Sequence, residues 1–414
     1  MSRSPHPRRV LLVDCDMFYV QVARLEDPLG AGREPLLIVG GSASGRGVVT
    51  SASYACRRYG VRSAMPTGEA LRLCPDAVVV GVPRGAVSRR SRQVRDALEE
   101  LAPVVQAASV DEFYLDLTGT ERLFHDEPLE ATARRIRERV LEETGISVSI
   151  GGGTNRLVAK LATRPAKPGG VFVVPPGGEE AFVGGLELRE LPGVGPALLK
   201  ELERRGLRTV AEARAAGRDW LVRWLGESRG PWLWDRMSGR DDSEVVHGEG
   251  RKSISSERTF SRDLDDDQEL RRRLLRLTVS VTGTLREKGL LARTVTVKLR
   301  DADFTTRQRS HTFAEPVESD RVIFPVARAL LDDLRRQRPR PARLIGVGMS
   351  NLHEGPTPRQ MALFESPQPH ETELDRALNR AVDSLRGRFG RDAVLPGGIV
   401  DAPEEAARDG RDPE

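Results

Sequence analysis

Apolar runs of four to six residues alternate with amphipathic stretches over the first part of the chain. Residues 10–13, 35–39, 48–51 and 77–82 read as strands. Residues 67–73, 88–101 and 129–144 carry apolar positions at helical spacing, 146–150 adds a strand and 156–162 a helix. This alternation predicts an α+β domain in which helices pack on a small mixed sheet. Pro168-Gly169-Gly170 and Pro175-Pro176-Gly177-Gly178 punctuate its end.

Residues 179–240 read as short helices. They enclose Leu191-Pro192-Gly193-Val194-Gly195-Pro196, a helix over 197–205 and another from Thr209, and they hold all four tryptophans, expected to form a local core. The polar stretch 238–250 reads as a linker. Strands and helices return over 251–353, where Thr294 to Arg300 alternate cleanly: Val295, Val297 and Leu299 on one face, Thr294, Thr296, Lys298 and Arg300 on the other. The next run sets Arg307, Arg309 and His311 on one side, and long helices fit 268–288 and 320–337. A sheet with one buried and one basic face suits a nucleic-acid backbone, so Lys298, Arg300, Arg307 and Arg309 are the candidate contacts. Beyond 355 a helix near 371–388 is expected, and the last fourteen residues are polar enough to stay disordered.

With 414 residues the chain exceeds one core, so several domains are expected. Its 30% charged and 38% hydrophobic residues fit a folded, water-soluble protein. No apolar stretch is long enough to span a membrane, and the N-terminus lacks the apolar core of a signal peptide. The three cysteines form no Cys-x-x-Cys pair, which argues against a disulfide framework or a zinc site and for a reducing cytoplasm. Net charge is +4, unevenly spread. Residues 251–350 carry 22 Lys and Arg against 14 Asp and Glu, whereas residues 351–414 carry 8 against 13. A basic module between a near-neutral body and an acidic tail points to a polyanionic partner, although ordinary surface charge is the competing explanation.

Two acidic clusters sit at predicted strand ends: Val13-Asp14-Cys15-Asp16 and Ser109-Val110-Asp111-Glu112. An Asp-Glu pair is usually solvated turn, but these flank apolar strands. Asp14, Asp111 and Glu112, brought together, could hold two divalent cations, with the carbonyl of Cys15 adding a ligand. Asp16 competes with Asp14, because period-two alternation keeps both on one face; it ranks second because the strand should be ending there. Ser51, Tyr54 and Arg57 recur every three residues, so hydroxyls and a guanidinium could share one helical face and grip a triphosphate. The competing reading is a serine-capped helix start. Lysine is scarce, six residues against 59 arginines, and Lys160 and Lys167 follow the candidate catalytic sheet, where an ammonium serves phosphate. Gly193 and Gly195 read as a helix-hairpin-helix loop whose amides could meet a DNA phosphate.

These motifs, with Arg62-Ser63-Ala64-Met65-Pro66, Ala159-Lys160-Leu161-Ala162, Lys167-Pro168-Gly169-Gly170 and Ser255-Ser256-Glu257-Arg258-Thr259-Phe260, run in one order from about residue 8 to 354. The set resembles the Y-family translesion DNA polymerases, bacterial polymerase IV branch. The resemblance implies a right-hand fold: palm over 1–16 and 81–173, fingers over 17–80, helical thumb over 174–240, linker over 241–251, little finger over 252–354 and a tail over 355–414. It implies template-directed, error-prone synthesis at a primer 3′-hydroxyl, with pyrophosphate release and no proofreading. Asp14, Asp111 and Glu112 would be the catalytic ligands of two Mg²⁺ ions. Tyr54, Arg57 and Lys167 would hold the deoxynucleoside triphosphate, with Ser51 in a Thr/Ser position. Tyr19 would be the steric gate against ribose, while Phe18 packs the fingers.

Some positions depart from the family pattern. Ala23 replaces a frequent glutamate and Val110 a Leu or Ile, neither touching the ligand set. Gln360-Met361-Ala362-Leu363-Phe364 is similar to a sliding-clamp peptide, with Gln360, Leu363 and Phe364 as anchors. About fifty residues follow it here, where many relatives end. Primer-template DNA and a clamp are the implied partners, with the protein a monomer. A non-catalytic DNA- and clamp-binding scaffold would be expected to lack the carboxylates, and a nucleotide cyclase would have no use for the basic module.

Overall fold

The computed structural model describes residues 7–124, 126–248, 250–355, 371–390 and 392–400. Two compact units divide the chain, residues 1–249 and 250–414.

The first unit holds two sheets. Strands β1 (Val10–Cys15), β5 (Val104–Ala107), β6 (Glu112–Asp116), β7 (Val148–Gly153) and β8 (Val171–Val173) form a mixed sheet in the order β5-β6-β1-β7-β8. Strands β2 (Leu37–Gly40), β3 (Val49–Ala52) and β4 (Val78–Val80) form the smaller one, in the order β3-β2-β4. β1 is central and antiparallel to both neighbours, and every residue of it is buried. That burial on both faces explains its unbroken apolar run. Leu11 and Val13 join Phe113, Leu115 and Ile150 beneath the helices Arg84–Glu99 and Leu129–Thr144. The helix expected over 88–101 starts four residues earlier, after Pro83, because Ala86 and Val87 are buried along with Val94 and Leu98.

The opposite face of β1 and β7 carries the helix Arg156–Ala166, whose first turn is capped by the Asn155 side chain accepting from the Val158 amide. This helix lies very close to β7. A Cβ on Gly151 would stand 2.2 Å from the Ala159 carbonyl oxygen and 2.4 Å from the Thr163 nitrogen, so only glycine permits the approach.

Short helices over residues 179–237 gather around Val183, Leu188, Leu202, Leu221 and Leu233. All four tryptophans pack against this cluster. Gly193 has φ +93°, and a Cβ there would strike the Trp232 ring, so both the turn and the packing require glycine. Gly195 precedes the helix Pro196–Glu203.

In the second unit β9 (Ser253–Leu264), β10 (Leu290–Asp301), β11 (Thr306–Val317) and β12 (Ala342–Glu354) form an antiparallel sheet in the order β11-β10-β12-β9. The helices Asp267–Glu287 and Asp320–Gln337 cover one face through Val295, Val297, Leu299 and Phe313. Arg307 and Arg309 do not share the face of Lys298 and Arg300. The register pairs Arg307 with Leu299 and Arg309 with Val297, which turns both arginines to the helix side. Arg307 donates to both oxygens of fully buried Asp301, at 3.0 and 3.2 Å, and to the Leu334 carbonyl. Arg309 pairs with Asp333 at 3.3 Å. The open face is instead rich in hydroxyls: Thr296 with Ser310 and Thr294 with Thr312 bridge across the strands, and Lys298 is bonded to Glu257 at 2.8 Å.

The helix Glu373–Phe389, capped by Thr372, is tied to this unit by Arg286 on Asp383 at 2.6 Å. Gln360, Leu363 and Phe364 lie outside the described residues. No described helix is long and apolar enough to cross a membrane, and Cys15, Cys56 and Cys74 are free and buried.

Arg307→Ala leaves Asp301 with fewer partners in a buried site and should lower the unfolding free energy by about 2–4 kcal/mol in urea titration. Lys298→Ala, on the open face, should change it by no more than about 0.5 kcal/mol.

Candidate active site

β1 and β6 bring the two acidic clusters together. Asp14 and Glu112 are direct register partners, and Asp111 immediately precedes β6, its carbonyl accepting from the Cys15 amide at 2.9 Å. The Ser109 hydroxyl turns the chain there: it accepts from the amides of Asp111 and Glu112 and donates to the Asp111 carboxylate. Burial raises the Asp14 pKa against the lowering effect of Lys167, and the nearby charges of Glu112 and Asp111 raise it further.

Each of the two register partners has a lysine. Lys160, on the helix pressed against β7, reaches both oxygens of Glu112 at 2.8 and 2.7 Å. Lys167, just past the end of that helix, meets Asp14 Oδ1 at 2.7 Å. Three carboxylates on adjacent strand ends are oxygen donors suited to hard divalent cations. Each is at present bonded to its own partner, Lys167, Ser109 or Lys160, and among the described residues no three of them are gathered around one point, so holding a cation requires them to turn from these partners. The Cys15 thiol points into the core, where burial drives its pKa well up, so only its backbone faces this question.

Met17, in a left-handed conformation, bends the chain from β1 into the helix Phe18–Glu26. Phe18 is buried in the main cluster. Tyr19 stays partly exposed, edge-on to Phe18, and its hydroxyl pKa is raised by burial and then by the charge of Asp111.

Ser51 does not share a helical turn with Tyr54 and Arg57. It lies in β3, paired with Val39, and Ser53 is the residue that caps the helix Tyr54–Arg58. Arg57 sits with its guanidinium 5.2 Å from the Tyr54 ring centre and donates to the Ala52 carbonyl.

Asp16 is the residue the sequence undervalued. It is 2% exposed. Its Oδ1 accepts from the Tyr54 hydroxyl and from Ser149 Oγ, both at 2.8 Å. Its Oδ2 accepts from Ser147 Oγ at 3.1 Å and the Gly169 amide at 2.9 Å. A carboxylate offers about four lone-pair directions. All four are taken, so Asp16 has no capacity left for a cation. Burial and the Asp16 partner together drive the Tyr54 hydroxyl pKa far up.

The impB/mucB/samB family matches residues 13–164, and the C-terminal domain of the same family matches 251–363. A DNA polymerase IV of Caulobacter vibrioides is 37% identical over 387 residues, 93% of this chain and 92% of the relative. One from Halorhodospira halophila is 39% identical over 87% of this chain and 99% of its own length, and one from Alkalilimnicola ehrlichii 40% identical over 86% and 99%. Among solved structures, a Y-family DNA polymerase chimera of Dbh and Dpo4 matches with a TM-score of 0.75 at 24% identity, over 84% of this chain and all of that one. DinB from Sulfolobus solfataricus matches with a TM-score of 0.56 at the same identity and coverage. The mixed sheets and flanking helices thus have the fold of these polymerases, and with relatives this similar over nearly their whole length the chain belongs to the Y-family DNA polymerases, in the DNA polymerase IV branch.

Proposed function

We propose that this chain is a template-directed, error-prone DNA polymerase that extends a primer 3′-hydroxyl across damaged template, with release of pyrophosphate and no proofreading. The observation that carries this reading is the register pairing of Asp14 with Glu112, with Asp111 beside them and lysines 160 and 167 on the same group. Palm (1–16 and 81–173), fingers (17–80), thumb (174–240), linker (241–251) and little finger (252–354) are the assigned parts, with the tail beyond 355.

Asp14, Asp111, Glu112 and the Cys15 carbonyl would hold two Mg²⁺ ions, which when bound stabilise charge on the transferring phosphate and its leaving group. The rest falls to the protein's own side chains. Lys160 and Lys167 place two positive charges beside the carboxylates, where a triphosphate would otherwise meet only negative charge. Tyr54, bonded to Asp16, and Arg57, beside the Tyr54 ring, would hold the triphosphate, with Ser51 of β3 as a further hydroxyl. Tyr19, edge-on to Phe18, would be the steric gate, its ring leaving no room for a ribose 2′-hydroxyl. The amides near Gly193 and Gly195 and the open sheet face with Lys298 and Arg300 are assigned to the DNA backbone; Arg307 and Arg309 are not. The protein is read as a cytoplasmic monomer, with Gln360, Leu363 and Phe364 docking to a sliding clamp.

Primer extension with Mg²⁺ and the four deoxynucleoside triphosphates tests the reading directly. Asp111→Ala and Glu112→Ala should each lower the extension rate at least 10³-fold, roughly the loss of about 4 kcal/mol of transition-state stabilisation. Full activity in either would sink the assigned site. Tyr19→Ala should admit ribonucleotides, read as a fall of at least about tenfold in the ratio of deoxy- to ribonucleotide kcat/KM. Leu363→Ala with Phe364→Ala should weaken stimulation by a clamp and leave basal extension intact.

A further inference from the structure

Asp16 lies outside the assigned ligand set, yet its carboxylate is more completely bonded than any ligand in it. Its donors come from three separate parts of the chain. Tyr54 opens a helix in the fingers, Ser147 immediately precedes β7 and Ser149 lies in it, and Gly169 lies two residues past Lys167. The main chain of Asp16 is held as firmly. Its amide donates to the Ser147 carbonyl at 3.0 Å, and its carbonyl accepts from Gln21, whose side chain also bonds both backbone groups of Ser147. Ser149 Oγ in turn accepts from the Gly169 amide at 3.0 Å, which closes the network.

We propose that Asp16 is a positioning residue for the incoming nucleotide. Through one buried carboxylate it fixes the Tyr54 phenol and the turn carrying Lys167 relative to the strand bearing Asp14. The inference rests on the polymerase reading above, and assigns Asp16 a role in nucleotide binding rather than in metal binding. Tyr54 has a single hydroxyl hydrogen, and Asp16 takes it. Binding a phosphate through that hydroxyl therefore exchanges one anionic acceptor for another, with the ring already in place. Both bonds are charge-assisted and of similar strength, so the exchange costs little. Lys167 benefits in the same way: its turn is anchored through the Gly169 amide, which leaves the ammonium beside Asp14. Fixing such groups before the substrate arrives spares the ordering cost at binding.

Asp16→Asn keeps the size but replaces one acceptor oxygen by a donor. Serine and tyrosine hydroxyls can turn to accept from it, whereas the Gly169 amide cannot. The test is steady-state primer extension on undamaged template, comparing wild type, Asp16→Asn, Tyr54→Phe and the double variant, with unfolding midpoints measured alongside. Asp16→Asn should raise KM for the correct deoxynucleoside triphosphate roughly tenfold, the size of one charge-assisted hydrogen bond, and change kcat less than about threefold. The KM of the double variant should fall clearly short of the product of the two single effects, because both act on one phenol. A folded Asp16→Asn with unchanged KM, an equal loss confined to kcat, or single effects that multiply in full overturns the proposal. If Asp16→Asn does not accumulate as folded protein, Ser149→Ala, which loses a hydroxyl shared by Asp16 and Gly169, should raise KM about threefold; an unchanged KM there overturns it equally. Absence of extension by wild type overturns the polymerase reading instead, so the two failures are distinct.

Discussion

Like charges directly opposite one another in an antiparallel strand pair repel, and here the sheet sets Asp14 against Glu112 with Asp111 one residue away. Partial burial makes this worse, since Asp14 lies where water screens little. The molecule tolerates the arrangement because positive charge is delivered to the same place by one short segment. Lys160 and Lys167 stand at the middle and the end of a single helix and its exit turn. That helix can deliver them only because Gly151 lets its backbone lie against β7. A side chain on Gly151 would push the helix outward and carry both ammonium groups away from the carboxylates. Charge balance at the strand ends thus depends on a packing detail of the neighbouring strand.

A second layer of order lies behind the first. Asp16, on the same chain segment as Asp14, carries a negative charge into a fully buried position and has every acceptor direction filled. Such a group is costly to bury unless it is satisfied, and once satisfied it is rigid. The two aspartates, two residues apart, therefore differ in kind. Asp14 is held by a lysine ammonium, a charge that other anions can compete for. Asp16 is held by two serines, a phenol and a backbone amide.

Much of this was legible in the sequence. The unbroken run of β1 and the alternation of β10 gave their burial directly, and the strand-flanking position of Asp14, Asp111 and Glu112 marked them out. The scarcity of lysine drew attention to Lys160 and Lys167. What sequence could not supply was pairing between distant segments. Sequence ranks Asp16 second to Asp14 as a ligand but reveals nothing of its network, because its partners lie 38 to 153 residues away. Arg307 and Arg309 were given to the wrong face because alternation separates two faces of a strand without saying which of them the adjacent strand shares; only the register with Leu299 and Val297 decides that. Ser51 followed a three-residue spacing that suggested a helix, but its pairing with Val39 makes it strand.

The preference for arginine has a chemical consequence. Of 65 basic side chains only six are primary amines, and two of those six are bonded to the paired carboxylates. Guanidinium groups do not react with ordinary acyl donors under mild conditions, whereas an acylated lysine loses its charge. The basic surface of this protein thus offers few amines to an acyl donor, and two of those few stand beside the paired carboxylates. One acyl group on Lys160 would leave Glu112 without its compensating charge, so acylation damage would register in this molecule as a local electrostatic defect and leave most of the basic surface untouched.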